Sequence, residues 1–390
     1  LILRLWSKRM TLSAATLSAA AVLMLSTGMA PKVLATETSQ KVDPKIIQVI
    51  DPFFPLALDD QGNVWCMAHH AISVKPGFNS TLMVKAKNLD KVTSIVEKGG
   101  MTLALKDDGT VWTVERNTGT APLDLNDHIS AALGDPIPHL EHIVKIDVLG
   151  HIGMAIDKNG KVWIFETSPN WVRNSTSLKS EPVLIDGLDH IKDMYISYET
   201  TFLKDDGSVW TMDYQKQLTT TDASLYDLIR STPLVQMKEL TDIIRLDDHF
   251  ALKKDGTVWT WGRSIFAKPN ADATDNEVPP FPIAGLSDVV NFDYGGEHAL
   301  FVKKDGSVWG LGYFIQSWDA LGKAPAKVWR DLSQFNGLTD ISSVSISTLA
   351  YDLTTEAAIK KDGTLWIWGL DQFTNFNSNP LQVEFRKDSK

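Results

Sequence analysis

Acidic residues recur along this chain just ahead of a glycine, and a tryptophan follows three residues after that glycine. Asp59-Asp60, Asp107-Asp108, Asp205-Asp206 and Asp255 are examples. Carboxylates in such a series could hold a cation or move a proton. Asp157-Lys158-Asn159-Gly160 opens like a calcium loop, yet no glutamate follows at the distance such a loop needs. Among the nine histidines, His69-His70 is the adjacent pair. No His-x-x-x-His, zinc helix or cysteine pair accompanies them. A nucleophile elbow, a phosphate-binding loop and a dinucleotide glycine pattern are all missing. The expectation is therefore no metal, no cofactor and no catalytic residue in a recognisable motif. The acids have a plainer role, because a tight turn wants Asp or Asn before Gly.

The element behind the motif is a β-hairpin. Ala251-Leu252-Lys253-Lys254-Asp255-Gly256-Thr257-Val258-Trp259-Thr260-Trp261-Gly262 has two apolar-alternating arms around Asp-Gly. Such a pair suits a two-residue turn with positive φ at both positions. The glycines are Gly62, Gly109, Gly160, Gly207, Gly256, Gly306 and Gly363, and the tryptophans Trp65, Trp112, Trp163, Trp210, Trp259, Trp309 and Trp366. Successive tryptophans stand 47, 51, 47, 49, 50 and 57 residues apart. A period near 50 built of strands signals a propeller or solenoid. Seven tryptophans at one repeat position are expected to pack between neighbouring blades.

Before each hairpin lies an apolar run, such as Ile143-Val144-Lys145-Ile146-Asp147-Val148. After it comes a variable loop and a strand often led by Pro, such as Pro182-Val183-Leu184-Ile185 or Pro380-Leu381-Gln382-Val383. Four strands per unit match a propeller blade. The apolar run is read as the inner strand and the Pro-led strand as the outer edge, where a missing N–H is tolerated. The fold class is all-β, a seven-bladed β-propeller with four-stranded antiparallel blades. In this phase the chain closes into seven whole blades with no strand borrowed between the termini. The alternative phase makes 380–385 the missing edge of the first blade.

The pattern Ala-Leu-x-x-Asp-Gly-x-Val-Trp-x-Trp-Gly, with Pro-x-x-Val and Gly-Leu beside it, resembles the regulator of chromosome condensation repeat. The resemblance covers roughly residues 42–386 and implies a seven-bladed propeller. It implies no single function, since that family includes a nuclear exchange factor, a photoreceptor and a secreted bacterial β-lactamase inhibitor. The family's Gly-Gly-x-His step is intact only at Gly295-Gly296-Glu297-His298, with His151 and His249 one residue out of register. By its repeat position His298 is expected to bond neighbouring backbone.

Residues 1–35 differ from the rest. Arg4, Lys8 and Arg9 precede an apolar, alanine-rich run that ends at Val33-Leu34-Ala35, the pattern of a secretory signal peptide. The expected organisation is a signal peptide (1–35), a short linker (36–45) and one propeller domain (46–390). The whole chain has 38 Lys+Arg against 48 Asp+Glu. Without residues 1–35 the balance is 34 against 48, a net charge near −14. That argues against nucleic acid and anionic membrane surfaces as partners. Cys66 is the one cysteine, so no internal disulfide forms and a small buried side chain is expected there. Few cysteines in an exported chain point to the surface or medium of a Gram-positive bacterium.

Individuality lies in the loops after each Trp. They carry Trp171, Tyr214, Tyr226, Phe266, Tyr313, Phe314, Trp318 and Phe373, and aromatics in polar loops are candidate binding anchors. The leading expectation is a secreted, monomeric scaffold that binds a protein through these loops, with a surface glycan as the alternative ligand. A second reading is a carbohydrate-active or lyase-type enzyme at the central opening. Its signature would be Asp, Glu and His from several inner strands with shifted pKa values. A third is a structural module of the cell wall.

Overall fold

Seven four-stranded antiparallel units succeed one another along the chain, each with its strands in sequence order, and the first sheet is extended by two strands from the termini. The computed structural model describes residues 40–52, 54–67, 82–116, 131–170, 175–197, 199–213, 224–262, 278–317, 326–349, 353–370 and 376–387. The inner strands are Ile46–Ile50, Val92–Lys98, Ile143–Leu149, Ile191–Tyr195, Ile243–Asp247, Val289–Tyr294 and Ile341–Leu349. Alternation along each second strand buries one row against the preceding blade and one against the next. Leu103 and Ala104, or Leu300 and Phe301, are accordingly all buried. The core is thus a series of apolar layers between blades. This is the seven-bladed, four-stranded propeller that the repeat implies.

The turns differ from the expected two-residue type. Asp59 N–H donates to Asn63 O at 3.0 Å and Gly62 N–H to Asp59 O at 3.1 Å. Three residues lie in the loop, and glycine alone takes positive φ, 77° at Gly62 and 87° at Gly363. This is a type I turn followed by a left-handed glycine bulge. The aspartate before glycine serves the loop differently. Asp108 Oδ1 accepts from Thr110 N–H at 3.0 Å and from its hydroxyl at 2.6 Å.

Glycine is required for a second reason. Its carbonyl accepts the first N–H of the next inner strand, as in Val92 to Gly62 and Ile143 to Gly109. Ile46 donating to Gly363 at 3.0 Å makes the same bond between the last blade and the first. A Cβ at Gly109 would stand 2.8 Å from His142 Cα.

The repeat tryptophans are less deeply placed than expected. Trp65 is buried at 5% exposure, whereas the other six are half-buried. Their outer faces carry lysines of the motif. Lys303 Nζ stands 4.3 Å from the Trp309 ring centre and Lys360 Nζ 4.5 Å from that of Trp366. The indole N–H of Trp112 donates to Thr110 Oγ1, and Trp210, Trp309 and Trp366 do likewise to Ser208, Ser307 and Thr364. Where Asn63 replaces the hydroxyl residue, Trp65 donates to Asp59 instead, at 2.9 Å.

Closure keeps the expected phase but overturns the expectation that the termini exchange no strand. Each blade has its own four strands, but the termini do exchange contacts. After the outer strand of the seventh blade (Phe376–Gln382), Glu384–Lys387 pairs parallel with Leu82–Lys85, the outer strand of the first. Gln40–Val42, within the stretch expected to be a linker, pairs antiparallel with Glu384–Lys387. Phe385 meets Trp65 edge to face at 5.5 Å, which is why this tryptophan alone is buried.

Candidate functional site

Strand direction sorts the connections onto two ends of the ring. The Asp-Gly hairpins and the turns from outer to inner strands lie at one end. The turns from inner to second strands and the strand ends that lead into the variable loops lie at the other. Between them the inner strands of all seven blades surround an axial cavity of about 620 Å³.

The cavity wall is far from apolar. An inner strand has a neighbour on one side only, so its other backbone edge lacks sheet partners. Side chains of the preceding blade supply them. Gln48 accepts from Ile95 N–H and donates to Ile95 O at 2.7 Å. Asp193 accepts from Leu246 N–H, Asn291 from Val344 N–H, Asp147 from Ile196 N–H and Asp293 from Ile346 N–H. These polar residues stand two or four positions after the first residue of each inner strand. They join blades whose partners lie 47 to 53 residues apart.

Cations fill part of the remaining demand. Lys98 Nζ is 3.0 Å from Asp147 and 3.3 Å above the Tyr195 ring centre. Lys145 pairs with Asp193. Arg116 reaches Asp51 at 3.0 Å, and Ser347 Oγ donates to the same carboxylate. Arg245 is 3.6 Å from Asp247 and lies over Phe292.

Two neighbouring carboxyls are pushed towards their neutral form to different degrees. Burial, then the charge of Asp293, pushes Asp247 well above the usual carboxylate range. Burial raises Asp293 less, because Ile346 N–H and Arg245 favour its charge. The two share a hydrogen bond across blades 5 and 6, with the proton on Asp247. Burial raises Glu97 as well, helped by Asp51. Tyr195 is raised by burial and by the surrounding aspartates.

Histidine–glutamate pairs sit at the loop end between blades. His249 Nδ1 is 3.0 Å from Asp248 and Nε2 is 3.5 Å from Glu199. Burial lowers its pKa, but the bonds to Asp248 and Glu199 outweigh this and lift it to about 10. His298 Nε2 lies 3.1 Å from Glu356, out of line for a hydrogen bond, and neither ring nitrogen makes one. The expected backbone bond of His298 is thus absent, and a carboxylate faces it instead.

The loop aromatics divide. Trp171, Tyr214, Phe266, Trp318 and Phe373 lie outside the described residues. Tyr226 does not present a binding surface: it is 9% exposed in a short helix, Leu225–Ser231, and packs into the core between blades 3 and 4. Phe314 lies against His298 at 4.3 Å and Phe335 at 5.3 Å, a packing role. Tyr313 is 40% exposed and meets Trp329 edge to face at 5.1 Å. Both stand on the long outer hairpin of blade 6, Val308–Ser317 with Ala326–Gln334. Trp329 and the axial polar residues were missed by the sequence reading. The signal of the axial residues was a polar side chain at alternate positions within runs read as apolar. Cys66 is buried, as expected. Among the described residues no three or more His, Cys, Asp or Glu side chains group to hold a metal, and no helix is long and apolar enough to cross a membrane.

The fold and the repeat together define the class, an RCC1-type seven-bladed propeller. No protein-family profile matches the chain. It is 26% identical over 147 residues to the mitochondrial RCC1 domain-containing protein RUG3 of Arabidopsis thaliana, a match spanning 35% of this chain and 32% of that protein. The structure of Kap60 bound to yeast RCC1 (Prp20) is similar with a TM-score of 0.54 at 16% identity, covering 91% of each chain. Prp20p of Saccharomyces cerevisiae, described with its binding to Gsp1p and histones, aligns with a TM-score of 0.54 at 16% identity over 85% of this chain and 87% of that one. Human WBSCR16 gives a TM-score of 0.55 at 18% identity over 80% and 89%.

Proposed function

We propose that this chain is an exported scaffold that binds another protein through the loop end of its ring. The observation carrying this reading is the pair formed by exposed Tyr313 and half-buried Trp329 on the long blade 6 hairpin. Rigid aromatic side chains raised on a hairpin offer apolar area at little conformational cost. Yeast RCC1 bound to Kap60, and Prp20p with its Gsp1p and histone binding, are propellers of this fold with protein partners, which supports a protein ligand here. The net negative charge favours a basic partner surface. The test is affinity capture with the protein lacking residues 1–35. Tyr313→Ala with Trp329→Ala should lower retention of the captured protein at least tenfold, and undiminished retention would sink the assignment. Retention of a glycan in place of a protein would move the ligand class. Export is tested by the mass of the protein recovered from the medium, which should begin at Thr36.

A second reading is favoured by one observation. Asp247 and Asp293 lie within hydrogen-bonding reach of each other in the wall of the central opening, with both pKa values raised, as a general acid–base pair would be arranged. Breakdown of a glycan by the wild type, abolished by Asp293→Asn, would establish that chemistry.

A further inference from the structure

The cavity shows in two places how it accepts a positive charge. Lys98 sits between Asp147 and the Tyr195 ring, and Arg245 sits between Asp247 and the Phe292 ring. Each seat combines a carboxylate with an aromatic face, the combination that favours a partly desolvated cation. A third set of the same parts occurs where blades 5 and 6 meet the cavity. There Asp247, Asp293 and Tyr294 all line the wall. Among the described residues no basic side chain lies within 4.0 Å of Asp293 or Glu97. Arg245 serves Asp247 only at 3.6 Å and is committed to Phe292.

Structural duty explains most of the ring but not this corner. Asp147, Asp193 and Asp293 each bind the backbone of the next blade. Asp247 occupies the repeat position of Asp147 and Asp293, and no backbone bond to the next blade is recorded for it. It is buried at 8% exposure and faces the cavity and its neighbour. Burial and the charge of Asp293 favour its protonated form, against the pull of Arg245. The volume of about 620 Å³ is that of a small-molecule pocket.

We propose that the axial cavity is a binding site for a small organic cation, an ammonium or guanidinium, seated against Asp247 and Asp293 beside Tyr294. The inference uses the cavity of the enzymatic reading but none of its chemistry. Binding of the cation displaces the shared proton, so affinity rises with pH. Arg245 and Lys98 favour ionisation of Asp247, and Arg245 that of Asp293, while both carboxyls act on the Tyr195 hydroxyl and Asp147 and Asp248 line the same wall. A metal ion fits less well, because no three ligands converge among the described residues.

Titration calorimetry on the whole protein tests this with methylguanidinium, 1,4-diaminobutane and calcium chloride as probes. At least one organic probe should saturate a single site, release a proton in a buffer-dependent heat, and bind more tightly at pH 8 than at pH 6. Asp247→Asn should weaken it about tenfold or more. Tyr313→Ala should leave it unchanged, separating this site from the loop face. Absence of saturation, equal affinity in Asp247→Asn, or binding of calcium alone would overturn the proposal. Should Asp247→Asn fail to fold, wild-type binding without proton release overturns it equally. Saturable binding without glycan breakdown refutes the enzyme and leaves the cation site standing.

Discussion

The two ends of the ring are built from the same seven repeats and treat their polar groups in opposite ways. At the hairpin end the copies agree, and the polar atoms of the motif find their partners locally. Asp108, Thr110 and Trp112 form one short chain of hydrogen bonds, and Asp305, Ser307 and Trp309 repeat it. At the axis and the loop end the copies disagree, and partners come from the next blade. The position filled by Asp147 holds Tyr195, Asp247, Asp293 and Ser345 in the four blades that follow. The His249–Glu199 pair at one boundary reappears with its residues exchanged as His298–Glu356 two boundaries on. Agreement marks what every blade must do to stand beside its neighbour. Disagreement marks where the ring has freedom to specialise.

That comparison can be broken at several points. The largest effect is expected where the termini meet. Phe385→Ala empties a buried site against Trp65 and should cost about 3 kcal/mol or more, read by urea denaturation. A change below about 1 kcal/mol would mean that closure depends on the Ile46–Gly363 bond alone. Next come the hairpin glycines. Gly109→Ala forces a left-handed alanine against His142 and should cost about 1–2 kcal/mol from backbone strain plus the contact. Gly207→Ala has 3.3 Å to Asp242 rather than 2.8 Å and should cost less. Equal losses would show that turn strain, not blade contact, makes glycine necessary.

The axis should reveal itself through pH. Asp247 is raised in the folded state, so the unfolded chain holds fewer protons there above the usual carboxylate pKa. Stability from this group is complete below about pH 4 and is lost as pH rises through its folded value. Asp247→Asn should therefore flatten the fall in melting temperature towards neutral pH. His249 is also raised, to about 10. Its contribution is complete below about pH 6.5 and disappears towards pH 10. His249→Gln should flatten that alkaline window alone. An unchanged slope in either variant would remove the corresponding group from the account. The smallest effect belongs to the hairpin end. Thr110→Val removes the acceptor of the Trp112 indole and should cost about 1 kcal/mol or less, with no change in partner or cation binding.

How far the sequence could be read followed from how local each feature is. A turn, its glycine and the alternation of its arms lie within a dozen residues. Seven copies therefore declared the blade and its number, and Cys66 declared its burial. The left-handed conformation of glycine was legible too, but the three-residue loop was not, because Asp-Gly serves both turn types. Tyr226 looked like a loop aromatic until its helix folded it into the core. The axial acids stayed hidden for a different reason. Asp293 acts on Ile346 and Asp193 on Leu246, each 53 residues away, and no spacing within one repeat reports such a bond.

The sequence by itself determined the hairpin, its repeat and the closed ring of seven blades, because short-range turn chemistry and strand alternation act between neighbours in the chain. Only the tertiary structure decided that the last strand crosses to the first blade, that lysines cover the tryptophans, and that Asp247 and Asp293 meet at the axis. Ring closure brings together residues from different copies, and their electrostatics exist only once burial has removed them from water.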